Sequence, residues 1–303
     1  MVIFMEMIRK IDIHAHVAPY PSLTPPTLYE GITWISADEL IARYDTLGIE
    51  YGVLQPLVSP EGLFFTMTNE AIKLTVDAHP DRFFWFCCVD GRSVSNSADA
   101  NIGHLLEHYM KLGARGLGEY TTNLYVDDPK NDNVFHYAEE LDLPLLFHIS
   151  PAIGYNYGIV DEVHLPRLEK MLKKHPRLKF IGHSQPFWAE ISDDYDIQNR
   201  NDYPKGKVTD GTIARLMRNY DNLYCDLSAG SGMNAMTRDP EYAVSFMNEF
   251  QDRLLYGCDI CTPTGTHPEK LCAFLDGLRA DGSLSASAYY KIVRGNAEKI
   301  LKL

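Results

Sequence analysis

The sequence predicts a (β/α)8 TIM barrel, eight parallel strands alternating with helices and followed by an additional C-terminal helix. Three observations predict it. Eight short runs rich in β-branched and aromatic residues recur along the 303 residues, and amphipathic stretches of helical period lie between them. Eight strand–helix repeats over ~250 residues is the size of such a barrel. The long connections follow strands rather than precede them, which in a barrel gathers them on one face. Alternation also requires a parallel sheet with right-handed crossovers. A doubly wound open sheet shares the alternation, but the glycines of LGARGLGEY do not open a helix after a strand, so its dinucleotide fingerprint is missing.

In chain order, the first strand is KIDIHAH (10–16). The helix SADELIARYDTLG (36–48) follows, with Leu40, Ile41, Tyr44 and Leu47 on one face. The strands YGVLQPL (51–57) and RFFWFCCVD (82–90) precede the helix ANIGHLLEHYMKLG (100–113). ARGLGEY (114–120) and LPLLFHIS (143–150) are the fourth and fifth strands, and HLPRLEKMLKKH (164–175) is the next amphipathic helix. LKFIGHS (178–184), NLYCDLS (222–228) and RLLYGCD (253–259) complete the eight, with the helix DPEYAVSFMNEF (239–250) before the last. The chain closes on SASAYYKIVRGNAEKILKL (285–303). Several strands are entered through one grammar, a helix end, a polar turn and an apolar run, as in AHPDRFF and KHPRLKF. The proline after His79 and His175 stops the helix there, so both histidines read as helix-terminal residues. The whole chain, 1–303, reads as one barrel domain.

Composition excludes several classes of function. There are 28 Lys and Arg against 41 Asp and Glu, a net charge of −13. A surface this acidic repels phosphate backbones and anionic lipid, so neither nucleic acid nor a membrane is an expected partner. No apolar run approaches the ~20 residues of a membrane span. The short apolar opening MVIFMEMIRK is interrupted by Glu6 and lacks a cleavage site, so no export signal is read there. Six cysteines are too few for a disulfide framework; Cys87 and Cys88 lie in an apolar run, and the lone pair Cys258 and Cys261 reads as packing. These features predict a cytoplasmic protein. A symmetric dimer is the commonest assembly, and a homodimer is compatible with the sequence.

The chemistry gathers at the strand ends. His14 and His16 lie two apart on the first strand, so both project to one side. With eleven histidines in the chain, one such pair carries little weight alone. His148 ends the fifth strand, His183 the sixth and Asp259 the eighth, all at the same end of the barrel. Three or more imidazoles and a carboxylate converging there describe a divalent-metal site. Zinc is the expected ion, and manganese or iron is compatible with the same ligands.

This pattern, D-x-H-x-H on the first strand with His148, His183 and Asp259 on later ones, resembles the amidohydrolase superfamily from the first strand to the closing GNAEKIL. It looks closest to the amidohydrolase-related branch (amidohydrolase 2), which also contains metal-dependent decarboxylases of the aminocarboxymuconate-semialdehyde type. The resemblance implies that His14, His16, His148 and Asp259 are metal ligands. His183 is then a ligand to a second ion or a neutral, substrate-polarising imidazole. Glu119 ends the fourth strand, where binuclear members carry a bridging carboxylate. It either bridges or ligates, or it orients a histidine from behind. Asp12 shares a strand face with His14 by period-two counting and reads as supporting rather than ligating.

For substrate contacts, the loop after the fifth strand offers Tyr155, Asn156 and Tyr157, and the loop after the sixth offers Gln185, Trp188 and Arg200. The second loop is long enough to be a lid, and its acidic run 193–196 reads as solvated surface. The AGSG stretch (229–232) is either an anion-binding turn or a bare glycine-rich one. The expected activity is metal-dependent hydrolysis of a small amide, ester or lactone, with one or two ions activating water and Asp259 and His183 as catalytic groups. A non-oxidative decarboxylase on the same scaffold is the alternative.

Overall fold

In the computed structural model, which describes residues 8–25, 32–65 and 67–303 with the side chains of 63–65 excepted, the eight expected strands form a parallel barrel. The apolar opening 1–7 and parts of the loops 17–35 and 57–66 lie outside the described residues. The strands are β1 (Lys10–Ala15), β2 (Ile49–Leu54), β3 (Phe83–Trp85), β4 (Leu117–Tyr120), β5 (Leu145–Ser150), β6 (Ile159–Val160), β7 (Phe180–His183), β8 (Leu223–Asp226) and β9 (Leu254–Leu255). β1, β2 and β3 pair in sequence, as do β4, β5, β7, β8 and β9. Single bridges, Cys87 to Leu117 and Ala15 to Ile260, join the two sets into a ring. The two-residue β6 was not expected. It pairs with β5 outside the ring and is stitched to the preceding rim loop by the Tyr125–Val160 bridge.

The helices are α1 (Ala37–Leu47), α2 (Asn69–Ala78), α3 (Gly103–Lys111), α4 (Pro129–Glu140), α5 (Pro166–Lys174), α6 (Gln185–Ala189), α7 (Thr212–Asn219), α8 (Ala229–Thr237), α9 (Pro240–Glu249), α10 (His267–Ala280), α11 (Ala286–Tyr290) and α12 (Asn296–Leu301). Their ends follow local chemistry. Ser36 and Glu39 form a reciprocal capping box on α1, and Gly48 ends it in the left-handed conformation. His79 and His175 cap the C-termini of α2 and α5, as the following prolines require. Among the described residues no helix is long and apolar enough to cross a membrane.

Two expectations are corrected here. The AGSG stretch is not a turn but the first turn of α8, because only Ala229 takes a left-handed φ before the chain winds into helix. The C-terminal segment is not one regular helix: a π-helical turn, Lys291–Gly295, separates α11 from α12.

Two apolar layers place the site. Leu54, Trp85, Phe147, Phe180 and Cys225 pack outward against the helices. Ile11, Ile13, Val53, Phe86, Leu146, Ile181 and Leu255 fill the barrel interior together with Ala297, Ile300 and Leu301 of α12. Arg115, just before β4, donates to the Leu301 carbonyl at 2.6 Å, so α12 closes the barrel at the N-terminal ends of the strands. The C-terminal mouth is left for chemistry. All six cysteines are free thiols.

Candidate metal centre

Register and backbone irregularity assemble the site. β5 and β7 pair with His148 directly beside His183, so one register fixes both imidazoles. β1 shifts register between Asp12 and Ala15, and this breaks strict alternation. Asp12 and His14 therefore part ways instead of sharing a face. Asp12 accepts from the Tyr44 hydroxyl of α1 at 2.6 Å, from the His14 amide at 2.9 Å and from the Cys258 amide at 2.8 Å. It pins the first strand to the last segment of the ring. His14 turns into the mouth and reaches β8.

The histidine tautomers follow from their partners. His16 Nδ1 lies 2.9 Å from the Gln55 carbonyl oxygen, which can only accept, so Nδ1 carries the hydrogen and Nε2 a lone pair. His14 Nδ1 donates in the same way to Asp226 Oδ2 at 2.7 Å. The two Nε2 atoms then face each other at 2.9 Å. Glu119 Oε2 lies 3.4 Å from His16 Nε2 and 3.8 Å from His14 Nε2, and Asp259 Oδ1 lies 3.6 and 3.7 Å from the same atoms. Four acceptors converge on one buried point. That arrangement demands positive charge at its centre, and two imidazoles with two carboxylates are a fitting donor set for a divalent cation.

A second group adjoins the first through Glu119. Its other oxygen, Oε1, lies 2.8 Å from His148 Nδ1. His183 presents Nε2 to Asp259 Oδ2 at 3.6 Å, while its Nδ1 lies 3.1 Å from Asp226 Oδ2 and 3.1 Å from Ser228 Oγ. The potential cation-holding groups are accordingly His14, His16 and Asp259; Glu119, His148 and His183; and His14, His183 and Asp226.

The field at the site is strong. Burial opposes charge on His14, but Asp259, Asp226 and Glu119 outweigh it and hold its pKa well above the ordinary imidazole value. Burial works to raise Glu119, yet the contacts with His14, His148 and His16 keep it well below the usual carboxylate range. Asp226 is held low against burial by His14 and His183. For His148 burial prevails over Glu119 and lowers the pKa. Asp259 alone among the carboxylates keeps access to solvent, with 23 % of its side chain exposed.

The expected site residues His14, His16, Glu119, His148, His183 and Asp259 are thus brought together at the mouth. The expected substrate contacts separate. The Tyr157 ring lies 4.7 Å from the His148 ring, at the rim of the site. Tyr155 is 61 % exposed, and its hydroxyl accepts from Asn201, tying two rim loops together. Gln185 is half-buried at the start of α6. Trp188 is a correction: it is buried, and its indole N–H donates to the Asp226 carbonyl at 3.0 Å, so it packs into the wall of the site. Arg200 is likewise an anchor, donating to the Asp161 and Glu162 carbonyls. Sequence reasoning missed Asp226, Ser228 and Gln55. The signal was present for Asp226, an acidic residue at a barrel strand end like Asp259.

A parallel barrel with clustered histidines and carboxylates at its C-terminal mouth defines the class of metal-dependent barrel enzymes. The amidohydrolase family model (Amidohydro_2, "Amidohydrolase") matches residues 11–303, and the chain belongs to that family. Three solved structures are similar to the chain in fold. A probable 2-pyrone-4,6-dicarboxylic acid hydrolase from Acinetobacter baumannii, with citric acid bound, is 13% identical, with a TM-score of 0.61 over 98% of this chain and 100% of that one. An amidohydrolase from Burkholderia multivorans with bound zinc is 13% identical, with a TM-score of 0.63 over 98% and 100%. A 5-carboxyvanillate decarboxylase from Sphingomonas paucimobilis is 17% identical, with a TM-score of 0.63 over 98% and 100%. No curated protein matches the chain.

Proposed function

We propose that the protein is a metal-dependent hydrolase of a small organic amide, ester or lactone. One observation carries this reading: the two oxygens of Glu119 face different histidine groups, Oε2 towards His14 and His16 and Oε1 towards His148. A carboxylate so placed is suited to lie between two cations. His14, His16 and Asp259 would hold one ion, His148 and His183 the other, and Glu119 would contact both. Zinc suits this donor set, and the zinc-bound relative supports that choice. When bound, the metal supplies Lewis acidity that polarises the scissile carbonyl and makes a water acidic near neutral pH.

The chain's own groups supply the remainder. Asp259 reaches solvent and faces His14, His16 and His183 from its two oxygens, a position from which its carboxylate takes the proton of the attacking water. The same carboxyl group then returns that proton to the leaving group. His183, with Nδ1 engaged behind it, turns the Nε2 lone pair towards the mouth, where it would help to hold the second ion. Tyr157 lines the rim beside His148 and offers a face to a planar or ring-shaped substrate.

Decarboxylation is the second reading, favoured by the close approach of His183 Nε2 and Asp259 Oδ2 at 3.6 Å. With a single ion bound, that pair is free to protonate a carbanion, and the 5-carboxyvanillate decarboxylase relative supports this chemistry on the scaffold. The test is to incubate zinc-loaded protein with lactones, esters, amides and aromatic carboxylic acids, following both acid release and carbon dioxide. Hydrolysis of a lactone, ester or amide is expected. Carbon dioxide release without hydrolysis would put the decarboxylase reading in its place.

A further inference from the structure

We infer that Asp226, with Ser228, is a positioning residue that sets the tautomer of one imidazole in each half of the site and thereby ties the two halves together. The metal part of this inference rests on the two-ion reading above; the tautomer part does not. Asp226 and Ser228 are fully buried at the end of β8. Asp226 Oδ2 sits 2.7 Å from His14 Nδ1, 3.1 Å from His183 Nδ1 and 2.6 Å from Ser228 Oγ, while Oδ1 accepts the Ser228 amide at 3.0 Å.

Hydrogen counting then fixes every proton. The carboxylate can only accept, so the single hydroxyl hydrogen of Ser228 goes to Oδ2. The lone pairs of Ser228 are left for His183 Nδ1 at 3.1 Å and His14 Nδ1 at 3.3 Å. Both Nδ1 atoms must therefore carry hydrogen, and in the neutral rings both Nε2 atoms present lone pairs to the mouth. His14 Nε2 points at His16, Glu119 and Asp259; His183 Nε2 points at the other oxygen of Asp259. One carboxylate thus prepares a donor atom for each half.

The surroundings keep Asp226 in place. Trp188 holds its carbonyl, and a Cβ on Gly257 would lie 2.3 Å from Oδ1, so only glycine leaves room for the carboxylate. Replacing Asp226 by Asn puts an NH2 group either against the Ser228 amide or against two imidazole N–H groups and a hydroxyl. The first choice sets donor against donor at the Ser228 amide, and the second does so at both rings and pushes hydrogen from Nδ1 to Nε2.

The experiment compares wild type, Asp226→Asn and Ser228→Ala. Ring-nitrogen NMR of the metal-free protein at alkaline pH should show His14 and His183 both protonated at Nδ1 in wild type and both displaced from that state in Asp226→Asn. Ser228→Ala, a small change that leaves the fold intact, should move His183 more than His14. Stepwise zinc affinity by chelator competition should fall ~10–100-fold at both steps in Asp226→Asn. Unchanged nitrogen shifts in either variant would overturn the positioning role, whatever the metal does. Shifted tautomers with a single zinc per chain would uphold the positioning role and overturn the two-ion reading alone.

Discussion

Glu119→Gln separates a carboxylate shared between ions from one that only steadies histidines. The substitution keeps the shape and removes one negative charge from a position nearly sealed from water. The distances set the scale. Glu119 Oε2 lies 3.4 and 3.8 Å from the Nε2 atoms of His16 and His14, so an ion shared with them would sit within ~4 Å of the carboxylate. At that separation a single charge pair is worth about 4 kcal/mol at an effective dielectric of ~20, roughly a thousandfold in affinity. A purely orienting role, through the 2.8 Å contact with His148, would cost only ~10–100-fold. The assay is metal per chain by elemental analysis over increasing free zinc. Wild type is expected to reach two ions, and Glu119→Gln to hold one over the same range. A wild-type plateau at one ion, or a variant that still fills to the wild-type level after a modest loss of affinity, would refute the bridging argument.

Other outcomes follow from the same geometry. The double variant His14→Ala, His16→Ala removes two converging Nε2 donors and should abolish one ion per chain while circular dichroism stays that of the folded barrel; full metal content would place the site elsewhere. Gly158 has φ +112°, and a Cβ there would lie 2.8 Å from His148 Cδ2, so Gly158→Ala should cost about 1–3 kcal/mol and weaken zinc binding on the His148 side. Equal affinity in that variant would show that the ring tolerates displacement. In chelated protein the pKa of His14 is raised by Asp259, Asp226 and Glu119 against burial, so its imidazolium stabilises the fold. That contribution is complete below the unfolded value of ~6.5 and is lost as pH rises through the folded pKa. The Tm of metal-free wild type should therefore decline over that interval relative to His14→Ala, and parallel curves would contradict it.

Much of this molecule is legible in its sequence, because apolar runs and polar strand ends are local signals. All eight expected strands are present, and the candidate ligands lie on or just beyond their C-terminal halves. The failures have physical causes. Counting by two put Asp12 beside His14, but the register shift in β1 sends one to α1 and the other to the mouth. Trp188 in a polar loop looks like a substrate contact, yet its N–H is spent on the Asp226 carbonyl. Glycines at 230 and 232 suggested a turn, but Gly232 is needed for close approach to the Leu227 backbone at the start of α8. Asp226 escapes a local reading because two of its partners, His14 and His183, come from distant strands, which no local window contains.

The account stands on a cation held between acceptors that face one another. Anomalous diffraction at the zinc edge, from crystals grown with zinc, tests this most directly. The account predicts a peak within bonding distance, about 2.0–2.1 Å, of His14 Nε2 and His16 Nε2, and a second in contact with His148 across Glu119. Saturating zinc with no peak at His14 and His16 would contradict it.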